Sequence, residues 1–250
     1  NNGSPFNGTF SATAGGSFDW NGTLYVEVPH NSSTGGRVDK VIAAKKDLAV
    51  RLVEGEILPQ ISGSPEKGFT FATNGPLYIA GNYNADGKSS TGSSTKADNK
   101  NEIPAALVAD SITMLSSNWM KYNYDSKSKQ SASYRNANFT EVSAAIMTGL
   151  VPTIDSSNMS GGNHNFPRFL ERWSGDEFRY RGSMVALFES ESHNKPRPSN
   201  YSSYYSPPIR NWGWHEYFEN GEMPPATPFV RDFRRKNFEF LTEAEYTLAM

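Results

Sequence analysis

The chain of 250 residues contains no cysteine. That excludes thiol catalysis, zinc–thiolate sites and a disulfide framework together, so the fold must hold by its core and its hydrogen-bond ladders. A surplus of charge is also missing. Lys and Arg number 24 against 26 Asp and Glu, for a net charge of −2. This is no electrostatic footprint for nucleic acid or an anionic membrane. No apolar run reaches membrane-spanning length, so no span is expected. The four histidines (His30, His164, His193, His215) include no two at metal-ligand spacing, so neither a metal nor a cofactor is expected. There is no P-loop, no dinucleotide fingerprint after a strand and no nucleophile elbow. The chain starts Asn1-Asn2-Gly3 without a signal peptide, which does not argue for the cytoplasm.

What is present is aromatic and amide-rich. Aromatics reach 13 %, with Gly 21 and Pro 15. Ser, Thr and Asn abound, the look of an extracellular β-rich surface solvated by hydroxyls and amides. The length allows one large all-β domain or two ordinary ones, with a real core in either case. Seven N-x-S/T sequons stand at Asn2, Asn7, Asn21, Asn31, Asn138, Asn158 and Asn200. They mean glycosylation only in a eukaryotic secretory host.

Three regions follow from the pattern. Residues 1–23 form an extended N-terminal arm with spaced Phe6, Phe10, Phe18 and Trp20. Residues 24–190 form a β core with polar insertions at 85–102 and 122–138. Residues 191–250 form a Pro/aromatic-rich wrapping segment and a C-terminal tail. The clearest local signal is GPLYIAGNYN (75–84), an alternating apolar run closed by Gly81 and Asn84 as corner residues. Asn74-Gly75 ahead of it is a strong turn dipeptide. FRYRGSMVALFES (178–190) reads as one long strand. In the 156–177 stretch Phe166, Phe169, Leu170 and Trp173 recur at helical spacing and predict a short helix.

Apolar units recur every 25 to 40 residues, whereas the hairpins of a sandwich are spaced more tightly, about 8 to 12 residues apart. The expected fold is therefore all-β dominated. It has a β-solenoid or β-helix-like core, long irregular loops and a few short helices; the alternative is a β-sandwich. Val26, Ile79, Val108, Ile146 and Val185 are expected to stack inside.

Candidate chemistry is sparse. His164 with Glu171 is conceivable as an acid/base pair, but a short amphipathic helix clamping the core explains those residues better. Asp110 within LVADSIT either faces a groove or, preferably, caps a turn. The Asn/Asp/Gly stretches 82–88 and 155–163 lack the spacing of a calcium loop and read as Asx turns. No catalytic residue is assigned, and the reading leans away from an enzyme. The best place to look for a binding surface is the aromatic belt, above all Tyr204, Tyr205, Trp212 and Trp214. Such rings stack on sugars or anchor protein interfaces, or else cover an edge of the β core.

Seven blocks occur in a fixed order: GPLYIAGNYN (75–84), AALVADSITMLSSNW (105–119), AAIMTGLVPT (144–153), GGNHNFPRFLERWSG (161–175), YRGSMVALFES (180–190), SPPIRNWGW (206–214) and MPPATP (223–228). Across roughly residues 70 to 230 this order resembles the C-terminal ectodomain of bacterial envelope proteins related to pilus-assembly (prepilin-like) proteins. The resemblance implies an extracellular or cell-envelope location and a structural or adhesive role, as a pilus-like filament subunit or a pilus-associated component. The implied partners are further copies of the chain or other pilus and envelope proteins, with glycans as a further ligand class. The alternative is a secreted polysaccharide-active enzyme or a carbohydrate-binding module.

Overall fold

The computed structural model describes residues 21–28, 49–59, 68–85, 102–128, 130–150, 167–190, 204–227, 242–244 and 247. The N-terminal arm up to residue 20, most of the 85–102 insertion, His30, His164, His193 and Tyr201 lie outside them.

Twelve strands run in chain order: β1 Thr23–Val26, β2 Val50–Gly55, β3 Phe69–Thr73, β4 Pro76–Tyr83, β5 Ala105–Ala109, β6 Ser111–Leu115, β7 Thr140–Ser143, β8 Ala145–Leu150, β9 Arg168–Phe169, β10 Glu177–Arg181, β11 Met184–Glu189 and β12 Ile209–Gly213. A short helix α1 (Ser117–Lys121) and 3-10 turns at Tyr124–Lys127 and Ala132–Tyr134 fill the second polar insertion, and α2 (Glu216–Glu219) follows β12.

The strands form two sheets. One is five-stranded in the order β1-β3-β5-β8-β11. The other is seven-stranded, β12-β10-β7-β4-β6-β9, with β2 also paired to β4. Every described pair is parallel. Register stacks like on like. Phe71, Leu107, Ile146 and Met184 lie side by side across the first sheet. Leu52, Ile79, Met114 and Phe169 do so across the second. These rows meet in one apolar core.

This architecture overturns the expected β-solenoid and equally the β-sandwich. Hairpins of a sandwich pair antiparallel, and none of the described pairs does so. A uniform stack of coils gives each strand one equivalent on either side. Here β4 serves β2, β6 and β7, and one sheet curls into a half-barrel. The bend lies at Gly81 (φ +91): Pro76–Ala80 pair with β6 before it, and Tyr83 pairs with Val142 of β7 beyond it. Parallel sheets, with 47 % strand and 14 % helix among the described residues, point to the α/β class.

Three local expectations also change, and one turn is refined. The Asn74-Gly75 turn separates two strands, β3 and β4, and it carries the chain from one sheet to the other. The single strand at 178–190 is two, β10 and β11, one in each sheet. Arg168–Phe169 form a strand where helical spacing predicts a helix, because the ladder with β6 and burial of Phe169 and Trp173 outweigh the apolar period. Val108 and Val185 face outward: their neighbours Leu107 and Met184 occupy the inward register, and period-2 alternation turns the next residue out.

Candidate functional site

The buried ionisable groups serve internal bonds. Glu171 is 0 % exposed and accepts from the Ser116 N–H at 2.6 Å and the Ser116 hydroxyl at 2.7 Å. Burial pushes its carboxyl up to about 7, against the lowering effect of the Ser116 hydrogen bonds and of Arg135. A value near neutrality flags catalytic carboxyls. This one is sealed, so no substrate proton comes within reach. Arg135 is equally enclosed. It donates to the carbonyls of Leu170, Lys127, Gln130 and Tyr204 and ties the second insertion to the core.

Glu102 and His215 form a second buried pair, Nε2 to Oε2 at 3.0 Å. The Tyr217 N–H donates to His215 Nδ1 at 3.1 Å, so Nε2 carries the proton and donates to Glu102. A carboxylate–imidazole dyad also orients the base in hydrolytic triads. Here both ring nitrogens are occupied, and neither is left to activate a nucleophile. Asp110 sits buried at the corner between β5 and β6, and its carboxylate accepts from the Ser190 hydroxyl at 2.9 Å, a bond across to the end of β11. On the outer face of the seven-stranded sheet Arg179 pairs with Glu177 at 3.0 Å and with Glu141 at 3.9 Å. Among the described residues no group of three or more His, Cys, Asp and Glu is placed to hold a metal.

The four aromatic candidates separate. Tyr205 is buried beside Phe169, with ring centroids 6.1 Å apart. Tyr204 and Trp212 are half-buried against the core, Trp212 edge-on to Tyr180 and under the Arg210 guanidinium. Trp214 alone of the four is broadly exposed, at 54 %.

Trp214 opens a strap, residues 214–227, that crosses the outer face of the five-stranded sheet. The Glu102–His215 pair holds one end, helped by the Tyr217 hydroxyl donating to the Glu102 carbonyl at 3.0 Å. Pro225 holds the other. Its ring lies where a Cβ on Gly22 or Gly68 would stand, 2.5 and 2.7 Å away, and both glycines have positive φ. The Thr70 hydroxyl donates to the Pro225 carbonyl at 2.6 Å. Beneath the strap lies a half-open groove of about 290 Å³, floored by Ala106, Val108, Ala145 and Met147 and walled by Trp214 and Phe218.

A second kind of surface lies at the sheet edges. At one end stand β1 and β2, with Tyr25 and Val53 exposed and Leu24, Val26, Val50 and Leu52 only partly buried on the core side. At the other stand β11 and β12, with Leu187 64 % and Ile209 56 % exposed. Among the described residues no strand pairs with the outer edges of these four.

No family model, curated protein or solved structure matches the chain.

Sequence reasoning picked Trp214 by its company of aromatics and missed the groove floor. Ala106, Val108, Ala145 and Met147 look like any core run. The signal that marks them is the alternation with Leu107 and Ile146, which puts them on the opposite face of the sheet.

Proposed function

We propose that the chain is a non-enzymatic, self-associating protein of the extracellular face or cell envelope, acting as a subunit of a pilus-like filament or as a component associated with one. One observation carries this reading: among the described residues β1 and β2 on one side, and β11 and β12 on the other, pair with a strand on one edge alone, and these strands carry exposed apolar side chains. Such an edge offers a row of backbone donors and acceptors to an incoming strand. All described pairs are parallel, so the β11/β12 end of one copy and the β1/β2 end of the next continue the same ladders in the same sense. Stacking also covers Leu24, Val26, Val50 and Leu52, which one copy leaves partly exposed. The occupied nitrogens of His215 and the enclosure of Glu171 weigh against the enzyme alternative.

Head-to-tail association has a directional test. Leu187→Lys with Ile209→Lys blocks one end, and Tyr25→Lys with Val53→Lys blocks the other. All four sites are exposed, so each change moves stability by only about 0.5 kcal/mol. The expected result by analytical ultracentrifugation is concentration-dependent oligomers for the parent chain. Each doubly substituted chain alone is a monomer, and an equimolar mixture of the two is a dimer. A parent chain that stays monomeric at every concentration refutes the reading, as does a mixture that gives no dimer.

A further inference from the structure

We propose that Asn220-Gly221, at the end of α2 in the strap, is a site of spontaneous deamidation, a covalent modification that the chain performs on itself with water as its co-reactant. The Gly221 backbone nitrogen gives up its proton and attacks Cγ of the Asn220 carboxamide. The bond from Cγ to the amide nitrogen breaks, ammonia leaves with the proton, and a succinimide ring closes. Water then opens the ring at either carbonyl and leaves Asp or isoaspartate. Nothing is oxidised or reduced. Asn followed by Gly is the reactive pairing because Gly has no side chain to obstruct the approach and turns freely.

The fold treats the Asn-Gly pairs among the described residues differently. At Asn74-Gly75 the carboxamide is committed twice: its oxygen accepts from the Val28 N–H at 2.7 Å, and its nitrogen donates to the Val28 carbonyl at 3.1 Å. Gly75 is buried, with the Val28 side chain 2.6 Å from where its Cβ would stand. At Asn21-Gly22 the carboxamide oxygen accepts from the Thr23 N–H at 3.0 Å, and buried Gly22 is wedged against Pro225 and the Gly68 carbonyl. Asn220-Gly221 carries none of these restraints. Residues 219–223 are all exposed, and among the described residues none bonds to the Asn220 carboxamide. Nothing lies within 4 Å of a Cβ at Gly221. What holds the pair is the closing turn of a four-residue helix. The Gly221 N–H donates to the Phe218 carbonyl at 3.2 Å and the Glu222 N–H to the Tyr217 carbonyl at 2.8 Å. Bonds at an exposed helix end fray far more often than the core opens, and each opening frees the Gly221 nitrogen to reach Cγ.

The product bears on the strap. A carboxylate at position 220 joins Glu216, Glu219 and Glu222 in one short segment of like charge. Isoaspartate also lengthens the main chain by one carbon, which moves the Gly221 and Glu222 N–H groups out of register with the carbonyls that close α2. The same helix carries Tyr217, which together with His215 ties the strap to Glu102. Deamidation therefore loosens the strap at its tethered end.

The test ages the full chain in mildly alkaline buffer, with peptide mapping by mass spectrometry at intervals and circular dichroism to check that the chain stays folded. Expected in the folded chain is conversion at Asn220 at least about tenfold faster than at Asn74, and faster than at Asn21. In strong urea the three rates should converge to within about threefold, because the fold and not the local sequence separates them. Asn220→Gln moves the carboxamide one carbon farther out and should abolish conversion in its peptide. Hydrogen exchange across residues 214–227 should be faster in the aged parent chain than in the fresh one, and unchanged by ageing in the Asn220→Gln chain. The proposal falls if Asn220 converts no faster than Asn74 in the folded chain, if urea accelerates both alike, or if the deamidated strap exchanges like the fresh one.

Discussion

Glu171 gives the fold an unusual pH dependence. Its carboxyl lies in the loop that connects β9 to β10 and accepts two bonds from Ser116, at the end of β6. Hydrogen bonds to a carboxylate and a nearby Arg135 both lower its pKa, yet burial outweighs them and raises it from 4.5 to about 7. Between those two values the folded state keeps a proton that the unfolded chain has lost. Stability therefore falls as pH rises from about 4.5 to about 7, and is flat on this account outside the window. At 1.36 kcal/mol per unit, a shift of about 2.5 units amounts to about 3 kcal/mol. Glu171→Gln removes the proton from the balance and keeps the bonds: the amide oxygen accepts from the Ser116 N–H, and the amide N–H donates to the Ser116 hydroxyl.

The assay is urea unfolding at about pH 5 and about pH 8, followed through the emission of the buried Trp173. The variant should gain on the parent chain by about 2 to 3 kcal/mol between the two conditions. The m-value should not change. A parent-minus-variant difference that is independent of pH, or that moves in the parent's favour as pH rises, refutes the reasoning. It would mean that the Ser116 bonds and Arg135 keep the carboxylate ionised throughout.

Two further substitutions check the frame. Leu107→Ala should cost about 2 to 5 kcal/mol by chemical denaturation, while Val108→Ala on the same strand should cost about 1 or less, because the first opens a cavity and the second trims the groove floor. Equal costs would refute the register. Asn84→Ala should lower stability by about 2 to 4 kcal/mol in thermal or urea unfolding, since it strips three buried bonds, to the Ile103 N–H and to the carbonyls of Ile103 and Ser143. A loss below about 1 kcal/mol would mean that water replaces them.

Strands were legible in the sequence wherever apolar residues alternate between corner residues. LYIA before Gly81 is a strand, Gly81 and Asn84 both take positive φ, and the insertion they close departs just after Ala85 and returns by Ile103. Which strand pairs with which was not legible. Asn74-Gly75 carries the dipeptide of a hairpin turn, but that preference is local and does not say whether the next strand folds back or passes into another sheet. Inward and outward faces could not be told apart in runs such as AALVA, where both faces are apolar. Leu107 packs the core, while Ala106 and Val108 lie under the strap. The helical spacing around Phe169 misled for a related reason: a large residue every three or four positions also arises where a chain passes a core in short strands and corners.

With no cysteine in the chain, buried polar groups are what join its distant parts. Each long excursion of the chain needs its feet joined, a task that small secreted domains give to disulfides. Here hydrogen-bonded staples join positions far apart in sequence: Asn84 to Ser143, Ser116 to Glu171, Arg135 to Tyr204 and Glu102 to His215. A staple of this kind does not constrain the unfolded chain as a cross-link does, so its contribution lies in the folded state alone. It costs desolvation, which the Glu171 carboxyl shows directly, and it works only when every buried atom that matters has its partner. The fold should accordingly be indifferent to reductants and sensitive to pH. The strap rests on one such staple, Glu102 with His215, so the shape of the groove beneath it should be more sensitive to substitution at Glu102 than to most changes on the surface of the strap itself.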